Sequence, residues 1–386
     1  MNKFRCWYLP LLFCVWLILP ACSTLMDKDN TPDPTPLKTH PATAPPVTVL
    51  WRTGTGGGQG SLLAGLRPVI AGSRIFTVSK NGTVSAFNRF SGRKIFQVNT
   101  KMTVSSGLAA GAGKLFMGTQ DGRLIALSQK NGKILWKALL PSEAVAPAAA
   151  GAGLAVVKSV DGHLAAISEE TGIRRWTTAE NPPEMILRTA SSPVIAGDSV
   201  YAGFQDGVLG KFSLDDGAMQ WKQTIATPGG IFPIQRMVDI AANPVVDDNR
   251  IYTAAYQGEL AALASRNGAV DWAVPVSTST MITRDLHAIY LSDTSGMVRA
   301  FGKEAGQLLW VQNQLKSRVL TGPALSGPHL VVGDAEGWVH WLSRTSGHLV
   351  TRIRAGNDVL VTPLVADNIV YIYTKDGRLI ACRLGV

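Results

Sequence analysis

The chain has almost nothing with which to build a disulfide framework, a metal centre or a catalytic set. Of its 386 residues four are cysteines; Cys6, Cys14 and Cys22 fall at one end and Cys382 stands alone near the other. A cross-braced secreted fold is thereby excluded. The six histidines (His40, His163, His287, His329, His340, His348) show no H-E-x-x-H or other metal spacing, and none forms a convincing set with a nearby carboxylate. The Gly54–Gly60 run, GTGGGQG, matches neither G-x-G-x-x-G nor a P-loop and precedes no helical pattern, so it reads as a flexible turn. Charge is sparse too: 17% of residues are charged, and the net +10 comes from scattered Lys and Arg rather than a run. That pattern argues for a solvated basic surface and against a nucleic-acid partner. Amphipathic helical periodicity is missing after residue 46.

What is present is repetition. From Asp121 to Trp136 the chain reads DGRLIALSQKNGKILW: turn, strand, turn, strand. Counting from Gly122, an apolar residue follows at two, a small one at four, an apolar one at five, glycine at ten and tryptophan at fourteen. The grammar reopens at Gly82, Gly162, Gly207, Gly258, Gly296, Gly337 and Gly377, with spacings of 40, 40, 45, 51, 38, 41 and 40 residues. A period near 40 with turn residues at short intervals predicts an all-β, eight-bladed β-propeller of four-stranded antiparallel blades. Asp-Gly pairs are then turn formers, not acids. Six tryptophans sit at the fourteenth position or its N-terminal counterpart, which favours blade packing over carbohydrate or nucleic-acid recognition. Phe96 and Thr351 take that position in the first and seventh repeats, and Lys211 the small one in the fourth, so these blades are expected to pack less regularly.

The ends of the repeat array complement each other. The last repeat stops at Val386 before its glycine and tryptophan, while Val47–Arg52, VTVLWR, resembles a fourth strand without its beginning. An N-terminal strand joining the C-terminal blade, with Trp51 in the tryptophan place, would close the ring and leave no open edge there. This assigns 47–386 to the propeller. Ahead of it, residues 1–21 carry Lys3 and Arg5, an apolar run from Cys6 to about Leu19 too short to span a bilayer comfortably, and a small residue before a cut site, as an export signal does. Leu19–Cys22 is similar to the lipobox of bacterial lipoproteins, which makes Cys22 the expected lipidation site; the alternative is an ordinary signal peptide with an incidental cysteine. Ser23 in place of aspartate favours the outer membrane. Residues 22–46 form a Pro-rich tether, poor in apolar side chains and extended at ~3 Å per residue. Cys382, at an apolar repeat position, is expected to be a buried, inert thiol.

Two connections are longer than the rest: Thr177 to Ser192, containing ENPPEMILR, and Lys222 to Asn243, containing TPGGIFPIQRMVDIAAN. They belong to consecutive blades and should lie side by side. Their apolar residues, Met185, Ile186 and Leu187 beside Arg188, and Ile231, Phe232 and Ile234 beside Arg236, either fold back on the rim or form a binding face.

The unit DG-x-L-x-A-L-x4-G-x3-W resembles the tryptophan-docking motif of pyrroloquinoline-quinone-type propellers. With the lipobox, the tether and the stretches LRTASSP and GDAEGWVHW, the chain resembles the propeller lipoproteins of the β-barrel assembly machinery (the BAM complex) of Gram-negative outer membranes. That resemblance implies a non-enzymatic scaffold without cofactor or metal, lipid-anchored on the periplasmic face of the outer membrane. It would be a monomer within a hetero-oligomer and dock through rim loops on a periplasmic POTRA domain of BamA. It also implies that a Leu-x-Leu-Arg contact falls on Met185, Leu187 and Arg188 and an acidic contact on Asp239, with Arg236 nearby. Ala241 stands where a second acidic residue is common, which weakens the acidic half. The runner-up is a quinoprotein dehydrogenase, which shares the repeat but is usually longer, with an adjacent-cysteine disulfide and a calcium ion beside the quinone. A third reading, compatible with the first, is a holder of unfolded outer-membrane protein chains through exposed strand edges.

Overall fold

Each repeat folds into one blade because its turn residues interrupt four strands whose side chains have nowhere to go but the neighbouring blades. The computed structural model describes residues 32–37, 44–60, 65–179 and 191–385. It contains eight four-stranded antiparallel sheets, seven of them simple meanders. In the first, Val69–Ala71, Arg74–Val78, Thr83–Asn88 and Lys94–Asn99 run from the innermost to the outermost strand. The second and third strands are buried almost throughout, whereas the outermost strand alternates between partly buried and exposed residues. The innermost strands of successive blades face a central channel. Among the described residues one 3-10 turn, Pro233–Arg236, is the sole helical element.

The eighth sheet closes the ring as the sequence suggests. Val47–Gly54 pairs antiparallel with Arg378–Leu384, so the two termini supply the fourth and third strands of one blade. Trp51 then does what the other tryptophans do: its Nε1 donates to the carbonyl of Arg89 in the first blade at 3.1 Å. The same bond recurs from Trp136 to Glu169, Trp176 to Leu214, Trp221 to Ser265, Trp272 to Lys303 and Trp310 to Arg344, at 2.8–3.1 Å. Every acceptor lies three residues before the tenth-position glycine of the next blade, and the indole covers that glycine. At Gly217, with φ +75°, a Cβ would stand 2.5 Å from the Trp176 ring, so both backbone conformation and space require glycine. A bulge just before each tryptophan, as between Ala126 and Leu127 opposite Ile134–Trp136, twists the outer strand and turns the ring toward its neighbour.

The expected irregularities resolve differently. Phe96 lacks the N–H but packs on Gly132 in the same way, its ring edge close to the glycine. In the seventh blade the small fourth position and the large fourteenth have exchanged: Trp341 sits directly opposite Thr351 across the sheet, where other blades pair Ala126 with Trp136 or Ala262 with Trp272. Trp341 is fully buried between the seventh and eighth blades. The reason is visible in the closure. The third and fourth strands of the eighth blade come from opposite ends of the described chain, so no turn glycine exists there for a tryptophan to cover. Lys211 is accommodated by lying over the Tyr201 ring at 5.7 Å.

Two further features bear on the sequence reading. Cys382 is buried, and desolvation pushes its thiol up to about 12, so it is inert. Part of the Pro-rich segment lies on the propeller rather than free of it. The Thr35 N–H donates to the Lys316 carbonyl at 3.1 Å, Arg318 Nε donates to the Thr35 carbonyl at 3.3 Å, and Leu37 packs against the cluster that includes Leu315 and Leu320. An extended, proline-flanked backbone has unpaired polar groups, and this loop satisfies two of them. The export signal and Cys22 lie outside the described residues.

Truncation of Trp51 should test the closure. Trp51→Ala removes a large packed ring and should cost about 3–5 kcal/mol of unfolding free energy, whereas Trp51→Phe should lose chiefly the one hydrogen bond, about 1 kcal/mol. Denaturant titration of both variants checks the order; equal stabilities would contradict the docking role.

Candidate functional site

The loop between the fourth and fifth blades is built from two parts with opposite character. Its base folds back on the domain: Val238, Ile240, Ala241 and Ala242 are buried, Ile240 N–H donates to the Phe204 carbonyl at 3.1 Å, and Tyr256 N–H donates to the Asp239 carbonyl at 2.8 Å. Its tip does not. Ile231, Phe232 and Ile234 are 89%, 62% and 67% exposed, and Arg236 beside them is exposed as well. The tip is nevertheless ordered by its own hydrogen bonds. The Gln235 side-chain oxygen accepts the N–H groups of Ile231 and Phe232 at 3.1 and 3.2 Å, while Gln235 N–H donates to the Phe232 carbonyl at 3.0 Å. Gly230 makes this bend possible: its φ is +92°, and a Cβ would meet the Gln235 side chain at 2.7 Å. Three large apolar side chains are thus held outward by a braced turn, an arrangement that raises free energy in water unless something covers them.

Of the residues singled out from sequence, Met185, Leu187 and Arg188 lie outside the described residues. Arg236 and Asp239 differ in exposure. Arg236 ends the exposed tip, whereas Asp239 has no exposed surface and belongs to the base. The buried ammonium of Lys158 lies close by, donating to the Gly203 carbonyl at 2.6 Å. Burial lowers the Lys158 pKa, and the charges of Asp239 and Asp206 oppose that shift. In this conformation Asp239 offers no surface to a partner. The expectation that the two long connections are neighbours is met where they can be followed: Ser191 Oγ donates to the Ala242 carbonyl at 3.2 Å, and Ser192 N–H donates to Asn243 Oδ1 at 2.7 Å. Sequence reasoning missed Gln235 as the brace and Lys158 as the buried cation; the first could have been found from the Gly-Gly turn preceding it, the second only from the fold.

Comparison with known proteins decides the family. A family model described as outer membrane protein assembly factor BamB matches residues 80–301 and 294–383. The outer membrane protein assembly factor BamB of Legionella pneumophila is 41% identical over 358 residues, 92% of each chain. This chain belongs to the BamB family. The crystal structure of BamB from Moraxella catarrhalis superposes with a TM-score of 0.80 at 25% identity, covering 88% of this chain and all of the other. A europium-containing methanol dehydrogenase shares the fold with a TM-score of 0.72, at 14% identity over 88% of this chain and 93% of that one. That likeness concerns the propeller alone. BamB membership makes the chain an assembly factor rather than a dehydrogenase.

The stretch GDAEGWVHW of this BamB-family chain builds a buried charge cluster in the seventh blade. Asp334 Oδ2 accepts from Arg318 Nη1 at 2.6 Å and from His340 Nε2 at 2.9 Å, and Oδ1 accepts the Trp338 N–H at 2.8 Å. Burial alone would raise the Asp334 pKa, but the bonds from His340, Trp338 and Arg318 outweigh it and hold the carboxylate below its ordinary range. His340 goes the other way. Desolvation lowers its pKa, with Arg318 and Arg352 adding to the effect and Asp334 opposing it. Its Nδ1 is buried without a hydrogen-bond partner among the described residues, so a second proton there would be an unsatisfied donor. Arg318 also reaches Thr35, which ties this cluster to the docked Pro-rich segment.

A pH dependence follows. Unfolded histidine takes up a proton near pH 6.5, while folded His340 resists protonation to lower pH, so the unfolded state binds more protons in that window. Stability should fall as pH drops below about 6.5, with a contribution of at most about 1.4 kcal/mol per pH unit. His340→Gln should flatten this limb in denaturant titrations at pH 5–7.5; an unchanged slope would contradict the neutral assignment.

Proposed function

We propose that this BamB-family chain is a scaffold of the β-barrel assembly machinery that docks through the rim of its fourth and fifth blades on a periplasmic POTRA domain of BamA. The observation that carries the reading is the braced, outward-facing tip Ile231–Arg236. Apolar anchors rimmed by arginine are the residue types that dominate binding energy, and the relative from Legionella pneumophila is an outer membrane protein assembly factor. Met185, Leu187 and Arg188 on the adjacent connection complete the proposed contact. Asp239 holds the base of the loop from beneath it. Acylation of Cys22 keeps the domain at the inner face of the outer membrane.

A second, compatible reading rests on the outermost strands, which expose apolar residues such as Leu135 and Leu309 along blade edges. Such edges can take an added strand from an unfolded barrel chain.

A Phe232→Ala, Arg236→Glu double variant should weaken capture of the BamA periplasmic region at least tenfold while leaving the melting profile unchanged, since both side chains are exposed. Undiminished co-purification would sink the docking proposal. Cys22→Ser should move the protein from the membrane pellet to the soluble periplasmic fraction; retention in the pellet would refute the anchor.

A further inference from the structure

Fifteen positions before the turn glycine, each repeat places one residue at the entrance of its innermost strand, and these residues form a ring around the channel mouth. Their contacts show it. A Cβ on Gly107 would lie 3.0 Å from the Arg67 backbone nitrogen and 3.2 Å from Pro147, and one on Gly322 would lie 2.4 Å from the Met281 carbonyl and 3.0 Å from Thr362 Oγ1. Ser192 and Asn243 hold the corresponding places in the fourth and fifth blades. The ring is neutral except at Arg67.

Arg67 has no ion-pair partner among the described residues. Its Nη1 reaches across the channel to the sulfur of Met281, a weak acceptor, and its Nε is buried without a hydrogen-bond partner. Burial pulls its pKa down from the ordinary value, yet a guanidinium stays charged in a protein. Arg67 lines a cavity of about 290 Å³ whose other walls include Val69, Pro147 and Leu364, and among the described residues no acidic side chain lines it. Asn243 is also part of the wall; its oxygen is taken by Ser192 N–H, which leaves its NH2 group as a second donor.

A single planar cation beside one amide, in an open chamber whose side-chain wall is mostly aliphatic, fits one carboxylate carrying a short apolar body better than a multiply charged, fully hydrated anion. We propose that the ring binds a small monocarboxylate of this kind, its carboxylate on Arg67 and its apolar part against Pro147 and Leu364. Two sources share that chemistry: a free short-chain acid and the C-terminal carboxylate of a peptide ending in an apolar residue.

The test is calorimetric titration of the purified mature protein with sodium hexanoate, with inorganic phosphate, and with a tetrapeptide ending in leucine, either as free acid or amidated. Hexanoate should bind saturably, Arg67→Met should weaken it at least tenfold, and Arg67→Lys should lose less. Arg67→Met should melt no lower than the wild type, because it removes a buried charge that has no ion pair. Binding of the free-acid peptide but not its amide would identify a chain terminus as the source; binding of hexanoate alone would identify a free acid. Absence of saturable binding, equal binding by Arg67→Met, or phosphate binding as tightly as hexanoate would overturn the proposal.

Discussion

The indole of each blade resting on the turn glycine of the next is the contact on which the rest of the propeller depends. It joins three demands in one place: a ring large enough to fill the gap between outer strands, an N–H aimed at a carbonyl three residues upstream, and a glycine with positive φ that no side chain could replace. Within the blade the ring also meets an aromatic of the second strand, as Phe116 meets Trp136 at 5.7 Å and Tyr252 meets Trp272 at 6.1 Å. Packing therefore runs around the circle and across each sheet at once. With no disulfide among the described residues, ring closure by Trp51 is what turns eight marginal sheets into one structure.

The seventh blade shows the same constraint by exception. Its tryptophan has moved from the outer strand to the third, and Thr351 has taken the vacated place, so the cross-strand pair keeps its combined bulk while the indole turns to the interface with the closing blade. The demand is for volume at that point in the ring, and either strand can meet it.

Most of the fold was legible in the sequence because a repeat writes the same physical requirement eight times. The spacing of Gly82 through Gly377 carried the blade count, and VTVLWR carried the closure. The site was legible only in part. Ile231, Phe232 and Ile234 stood out as apolar residues in a loop, but their sequence neighbours Val238 and Ile240 are equally apolar and fold inward; composition cannot tell one from the other, and the Gln235 brace does. Asp239 was singled out through the family resemblance alone, and no local sequence pattern marks it as buried. Arg67 was invisible, since its meaning lies in seven counterparts on other blades. Thr35 looked like free tether because a single backbone pairing leaves no compositional trace.

Function, on this account, lies where the repeat is interrupted rather than where it is regular. Photocrosslinking in intact cells tests this most directly, with a photoreactive phenylalanine analogue placed in turn at positions 232, 135 and 309. The account predicts a crosslink to the periplasmic region of BamA from position 232 and none to it from the blade edges at 135 and 309. Crosslinks to BamA from the edges, with none from position 232, would contradict it.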